Sequence, residues 1–301
     1  MFNYIKSILK SFYQNVSSEK FFIGSSLARI GIGSVILYNY LILYFQKQSI
    51  LGPGGILGNN PSNFSIYSLT YDPIIFELLY NLGIIFSILF IIGYKGRVIS
   101  IINYIFTISF INQGYLLSDG GDNLVSLLLF YLIFADTTRY FSIDNKLKKN
   151  KKSNDLTNIL HNFAIYACII QICIVYVISA LYQLQGNKWT NGTALYYVTQ
   201  VDLFSNPNLT WFLHQSDVVM TLLTYFSIII KIAFPFLIFN SKTKIFIVIC
   251  IIMFHFGIGV FMGLVTFALT MIFSELLIFK DKEYSKLFKI WNTLKERKIK
   301  I

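Results

Sequence analysis

Residues Pro73 to Tyr94 read Pro-Ile-Ile-Phe-Glu-Leu-Leu-Tyr-Asn-Leu-Gly-Ile-Ile-Phe-Ser-Ile-Leu-Phe-Ile-Ile-Gly-Tyr, with Glu77 the lone charge and Lys95 and Arg97 directly after. A bilayer core about 30 Å thick takes roughly 20 apolar residues at about 1.5 Å rise each. This run therefore predicts a membrane-crossing helix. Outward from it, comparable runs extend over Phe21 to Phe45, Val98 to Leu117, Asn123 to Phe141, Asn162 to Leu184, Val218 to Phe239, Lys244 to Phe261 and Gly263 to Phe279. Composition agrees: 55% of residues are apolar and only 13% charged, too few charges for an ordinary soluble domain. The expected fold is all-α, a polytopic membrane helical bundle with about eight transmembrane helices.

The net charge of +11 does not point to nucleic acid, because Lys and Arg collect in short connections and form no interleaved basic face. It reads as topology. Lys6, Lys10 and Lys20 precede the first run, Lys95 and Arg97 follow the second, and Arg139 to Lys152 follow the fourth. Lys242 and Lys244 and the tail from Lys280 to Lys300 complete that set, whereas the opposite connections hold only Lys47 and Lys188. The positive-inside rule then predicts both termini in the cytoplasm.

The first run is too long for a secretory signal, carries Arg29 and lacks a small-residue cleavage site, so it is expected to be retained. Residues 1–20 and 284–301 place apolar side chains at helical spacing among lysines, as interfacial amphipathic helices on membrane lipid do. Residues 1–301 are expected to form a single membrane domain. Within it the lysine-rich stretch from Asn145 to Asp155 is a polar linker between two groups of helices, with no repeat relating them.

Cys168, Cys173 and Cys250 lie in apolar runs without CxxC spacing, and His161, His214 and His255 form no metal-ligand pattern. No metal site is expected. Arg29, Lys231 and Glu275 fall inside apolar runs, where an unpaired charge costs about 2.5 to 3.5 kcal/mol, so each needs a partner or water. Arg29 with Glu275 is one candidate pair. His255 precedes Gly257, Gly259 and Gly263, a small-residue pattern that permits close helix packing.

Three connections carry unusual chemistry. Leu51-Gly-Pro-Gly-Gly-Ile is turn-forming but lacks the GK[ST] ending of a phosphate loop. In Ser118-Asp-Gly-Gly-Asp-Asn, Asp119 and Asp122 are placed either to cap a helix or to serve a site. Tyr182 to Tyr197 combines Gln183, Gln185 and Lys188 with Trp189, Tyr196 and Tyr197; an aromatic belt explains the rings but not the amides.

Taken in order, Leu27-Ala-Arg-Ile-Gly, Asp119-Gly-Gly-Asp-Asn-Leu, Gln183 to Tyr197, Phe234-Pro-Phe-Leu-Ile and Phe254-His-Phe-Gly-Ile-Gly resemble the HTTM membrane domain shared by vitamin K-dependent γ-carboxylases and bacterial relatives. Gln185-Gly, Trp189 and Asn191-Gly-Thr-Ala-Leu-Tyr-Tyr are most similar to the sporulation-delaying protein B (SdpB) branch. The resemblance implies a bacterial cytoplasmic-membrane protein that assists maturation or export of a secreted antimicrobial peptide. Its implied partners are the toxin precursor and a small SdpA-like protein. Carboxylases carry a lysine base where this chain has Gln183, and an amide cannot take a proton that way. Carboxylation is therefore not expected, while a quinone-like lipid stays a candidate cofactor.

Arg29, Asp119, Asp122, Gln183, Lys188, Trp189, Tyr196 and His255 are the expected lining of an outward-facing cavity. Two rival readings stay open: a membrane enzyme acting on a quinone-like or peptide substrate, and a transporter or immunity protein, for which no inverted repeat is visible.

Overall fold

A computed structural model describes residues 2–58, 64–147, 154–202 and 205–289. Among these all regular structure is helical. The helices are α1 (Phe2–Ser17), α2 (Phe22–Ile42), α3 (Lys47–Ile50), α4 (Pro73–Ile92), α5 (Gly96–Gln113), α6 (Gly120–Leu132) and α7 (Ile143–Leu147). They continue with α8 (Asp155–Gln185), α9 (Asn187–Thr190), α10 (Ala194–Val198), α11 (Pro207–Leu213), α12 (Asp217–Leu237), α13 (Ser241–Phe261), α14 (Val265–Ser274) and α15 over 281–289. Most of the expected tail helix and the centre of the lysine-rich stretch lie outside the described residues.

Among the described residues, five helical stretches are long and apolar enough to cross a membrane: Asn3–Ile42, Pro73–Ile92, Asp155–Gln185, Asp217–Leu237 and Ser241–Phe261. Three of the eight expected runs give shorter helices. α5 has 18 residues, about 27 Å of rise, and its polar Asn103 and Gln113 are buried. α6 stops at Leu132 rather than continuing to Phe141, because the chain turns there and Asp136 Oδ1 accepts the Thr138 N–H. α14 begins only after Gly263, at φ +71°, and tightens into a 3-10 turn at Glu275–Ile278. Apolar composition alone does not reveal where such turns cut a helix.

The described residues form two compact units. The first draws on Met1–Ser118, Val125–Cys168 and Leu276–Ile301, the second on Asp119–Leu124 and Ile169–Glu275. The division falls within α6 and α8 and not at the lysine-rich stretch.

In the first unit α2 packs on α4 and α4 on α5. The core contains Tyr40, Tyr67 and Tyr80, whose hydroxyls are bonded: Tyr40 and Tyr67 meet at 2.9 Å, and Tyr80 donates to the Tyr40 carbonyl at 2.7 Å. Carboxylates close the helix starts. Asp144 accepts the N–H groups of Lys95 and Gly96 at α5, and Asp281 those of Phe22 and Ile23 at α2. The glycine turn at 51–58 is fastened by Gln113 Nε2, which donates to the carbonyls of Leu51, Leu57 and Gly58 at 3.1 Å each.

In the second unit α12 packs on α13 and α13 on α14, with α9 and α10 against α12 and α11 against α13. The approach of α6 to α14 needs Gly121: a Cβ there would lie 3.2 Å from the Phe267 backbone.

Candidate intramembrane polar site

The site is built on α8, within the second unit. Tyr176, Ser179 and Gln183 recur at the i, i+3, i+7 spacing that keeps side chains on one helix face, a polar stripe in an otherwise apolar segment. α12 brings Lys231 to this stripe. Its Nζ donates to Gln183 Oε1 at 2.5 Å and to Ser179 Oγ at 3.2 Å, and lies 5.7 Å from the Phe254 ring centroid. The side chain is 4% exposed. An ammonium has three donors, and the two protein acceptors leave one for something else. Pro235, one turn along α12, has no N–H and so withholds the usual i+4 donor from the Lys231 carbonyl, adding a further acceptor at this level.

One turn of α8 away, the Tyr176 hydroxyl donates to Glu275 Oε1 at 2.5 Å. Glu275 is fully buried, and its Oε2 has no hydrogen-bond partner among the described residues. His255 of α13, 2% exposed, has its ring centroid 5.8 Å from that of Tyr176 and 5.9 Å from that of Phe267. Its Nδ1 meets the Ile251 carbonyl at 2.9 Å, which makes Nδ1 the donor and Nε2 an acceptor. Phe234 packs edge-on to Tyr176, with 4.6 Å between centroids. An amine, a carboxyl, a phenol and an imidazole are thus gathered among aromatic walls. Such a set can hold the polar part of a membrane-embedded ligand or exchange protons with it.

The connection after α8 packs on α12. Gly192, at φ +74°, lies so near Thr221 that a Cβ would approach its Cγ2 to 2.7 Å, and Tyr225 donates to the Thr190 carbonyl at 2.9 Å. Lys188 is exposed, with Nζ 3.5 Å from the centroid of Tyr197. Trp189 lies against Gly186, while Tyr196 is beside His214, itself bonded to Thr199 at 2.8 Å.

Of the expected lining residues, the structure brings Gln183 and His255 to the polar stripe and places Lys188, Trp189 and Tyr196 on the connection beyond it. Asp119 and Asp122 cap α6 reciprocally: Asp119 Oδ1 accepts the Gly121 N–H at 2.7 Å, and Asp122 Oδ2 accepts the Asp119 N–H at 3.0 Å. Arg29 belongs to the first unit. Its guanidinium donates to the carbonyls of Thr137 at 3.0 Å, Phe90 at 2.6 Å and Phe141 at 2.8 Å, and also to that of Ile91. Arg29 and Glu275, the candidate pair, each spend their hydrogen bonds within their own unit. Sequence reading placed Lys231 and Glu275 inside apolar runs but not at this site, and it missed Tyr176 and Ser179. The spacing of the polar residues in α8 was the signal that would have found them.

Comparison with known proteins gives a consistent picture. Residues 64–283 match the HTTM domain family model, a span that contains the whole polar stripe and its partners. The chain is 29% identical to the sporulation-delaying protein SdpB of Bacillus subtilis over 68% of its own length and 64% of that protein's, so the match spans just under two thirds of SdpB. It is 21% identical to an uncharacterized protein, YitO, of the same organism, over 79% of each chain. No solved structure matches it.

Proposed function

The chain belongs to the HTTM domain family, and on that premise we propose that it is a membrane protein serving the production of a secreted antimicrobial peptide toxin. The observation that carries this reading is the similarity to SdpB, which extends over 211 residues. In this reading the protein resides in a bacterial cytoplasmic membrane with both termini inside, and it works with a toxin precursor and a small SdpA-like partner. The precursor is engaged from the outer side, at the connection bearing Lys188, Trp189 and Tyr196 and at the polar stripe below it.

Burial of Lys231 and Glu275 supports a working site, because packing alone is better served by apolar side chains at such positions. The test is co-expression with the cognate precursor, found among neighbouring genes, and measurement of antimicrobial activity in the medium. Deleting this chain should abolish that activity while the precursor still accumulates. Full activity without the chain would refute the proposal.

A second reading, a membrane enzyme acting on a quinone-like or peptide substrate, is favoured by one contact. Gln183 has no basic group, yet Lys231 brings an amine directly to it. A quinone-like lipid that co-purifies with the protein and is lost in Lys231→Met would support that reading.

A further inference from the structure

Within the second unit, α11 is held at the end of the α12 and α13 pair. Pro207 opens the helix, where its fixed φ suits a first turn and its missing N–H costs nothing. The N–H of Asn206, directly before it, donates at 2.9 Å to the carbonyl of Phe261, the last residue of α13. α12 starts at Asp217, soon after α11 ends at Leu213. Both partners are long and apolar enough to cross a membrane, so α11 lies at the level where their hydrocarbon-spanning lengths end. It is fastened on its other side as well. His214, its C-cap, bonds Thr199 at 2.8 Å and has its ring 5.4 Å from that of Tyr196.

One face of α11 is buried and the other is turned outward. Thr210 and Leu213, three residues apart, are 3% and 9% exposed, whereas Leu209, Trp211 and Phe212 are 39%, 58% and 66% exposed. Water is a poor neighbour for three large apolar side chains set side by side. No Asp, Glu, Lys or Arg lies between Asp202 and Asp217, so the face offers a soluble partner no charge to steer by. At the same end of the unit the first turns of α12 expose Val218 and Leu222, as a membrane-crossing helix does toward lipid. The α11 face adds to this band an indole, which suits headgroup level because its body is apolar and its N–H seeks water.

We propose that α11 is an interfacial helix whose partner is phospholipid, seated with Leu209, Trp211 and Phe212 in the boundary between headgroups and acyl chains at the Asp217 end of α12. With both termini in the cytoplasm, that leaflet is the outer one. Through Tyr196 and Thr199 at His214, the lipid contact also sets the depth of the connection that bears Lys188 and Trp189. The inference stands without the toxin-production reading, since it concerns a face which that reading does not use.

The test uses the full-length protein in phosphatidylcholine nanodiscs, with Trp189→Phe and Trp291→Phe leaving Trp211 as the sole indole. Acyl chains brominated near the headgroup or near their ends quench tryptophan by contact, and iodide quenches from the water. Shallow bromines should lower Trp211 emission about twofold and by more than deep bromines do, with little quenching by iodide. Adding Phe212→Asp should abolish the bromine effect and raise that of iodide, while Phe212→Leu should leave both unchanged. The parent with Trp211 alone decides the matter if the Asp variant fails to fold. Strong iodide quenching with none from bromine would put the face in water, and quenching by neither would cover it with protein, such as a second copy. Stronger quenching by deep bromines would sink it into the hydrocarbon core. Each of these three results would overturn the proposal.

Discussion

Replacing Arg29 by Met keeps an unbranched side chain of similar reach but removes every donor from a group that is 1% exposed. Four backbone carbonyls lose this donor: Phe90 and Ile91 from the last turn of α4, and Thr137 and Phe141 from the chain beyond α6. Phe90 still accepts the Gly93 N–H at 3.1 Å and Thr137 the Ser26 hydroxyl at 3.0 Å, so Ile91 and Phe141 are the carbonyls orphaned. At about 1 kcal/mol for each orphaned acceptor, the low end of the usual range, the loss is about 2 kcal/mol. With about 2 °C per kcal/mol for a chain of this size, the midpoint should fall by about 4 °C. The assay is built in, because Cys168 is a free and buried thiol whose exposure on heating in detergent can be followed with a thiol-reactive dye. Arg29→Lys should fall between, since an ammonium has three donors and no planar fork. A Met variant melting within about 1 °C of wild type would refute the structural role. If that variant also lost toxin secretion, Arg29 would return to the working site where sequence reading had put it.

Gly93 ends α4 at φ +69°, and a Cβ there would meet Ser142 Cβ at 2.5 Å and Arg29 Cζ at 3.0 Å. Gly93→Ala should therefore lower stability by more than about 1 kcal/mol, the ordinary cost of a left-handed non-glycine residue, in the same thiol assay. Asp122→Asn should cost no more than about 1 kcal/mol as an altered cap, and Trp189→Phe should leave membrane abundance normal; both are expected to abolish extracellular toxin activity at matched protein levels, and full activity in both would remove the outer connection from the site. A phosphatase fused after Asn206 should be active and one fused after Lys148 inactive; the opposite pattern at either point would reverse the expected topology. Purified protein given reduced vitamin K, carbon dioxide and a Glu-rich peptide should form no γ-carboxyglutamate, because the Gln183 amide is not basic enough to take up a proton; product formation would shift the base role to Lys231.

Much of the architecture is legible in the sequence because lipid imposes a single length rule. A run such as Pro73 to Tyr94 must be helical to satisfy its own backbone, and its neighbours Lys95 and Arg97 mark its end whatever the rest of the chain does. The family resemblance was likewise carried by local motifs from Leu27 to Gly259. Helix ends were less legible. α6 stops at Leu132 because Asp136 and Thr138 turn the chain, a polar event that apolar counting passes over.

Which polar groups meet was decided only by the tertiary structure. Lys231 reaches Gln183 across 48 residues and Glu275 reaches Tyr176 across 99, separations over which no spacing rule operates. Sequence placed Arg29 and Glu275 in one class, charges in lipid that need partners. The fold gave Arg29 four carbonyls and left one Glu275 oxygen with none among the described residues. The reason is physical: local sequence sets how a segment satisfies its backbone, whereas a buried side chain is satisfied by whatever helix the packing sets against it.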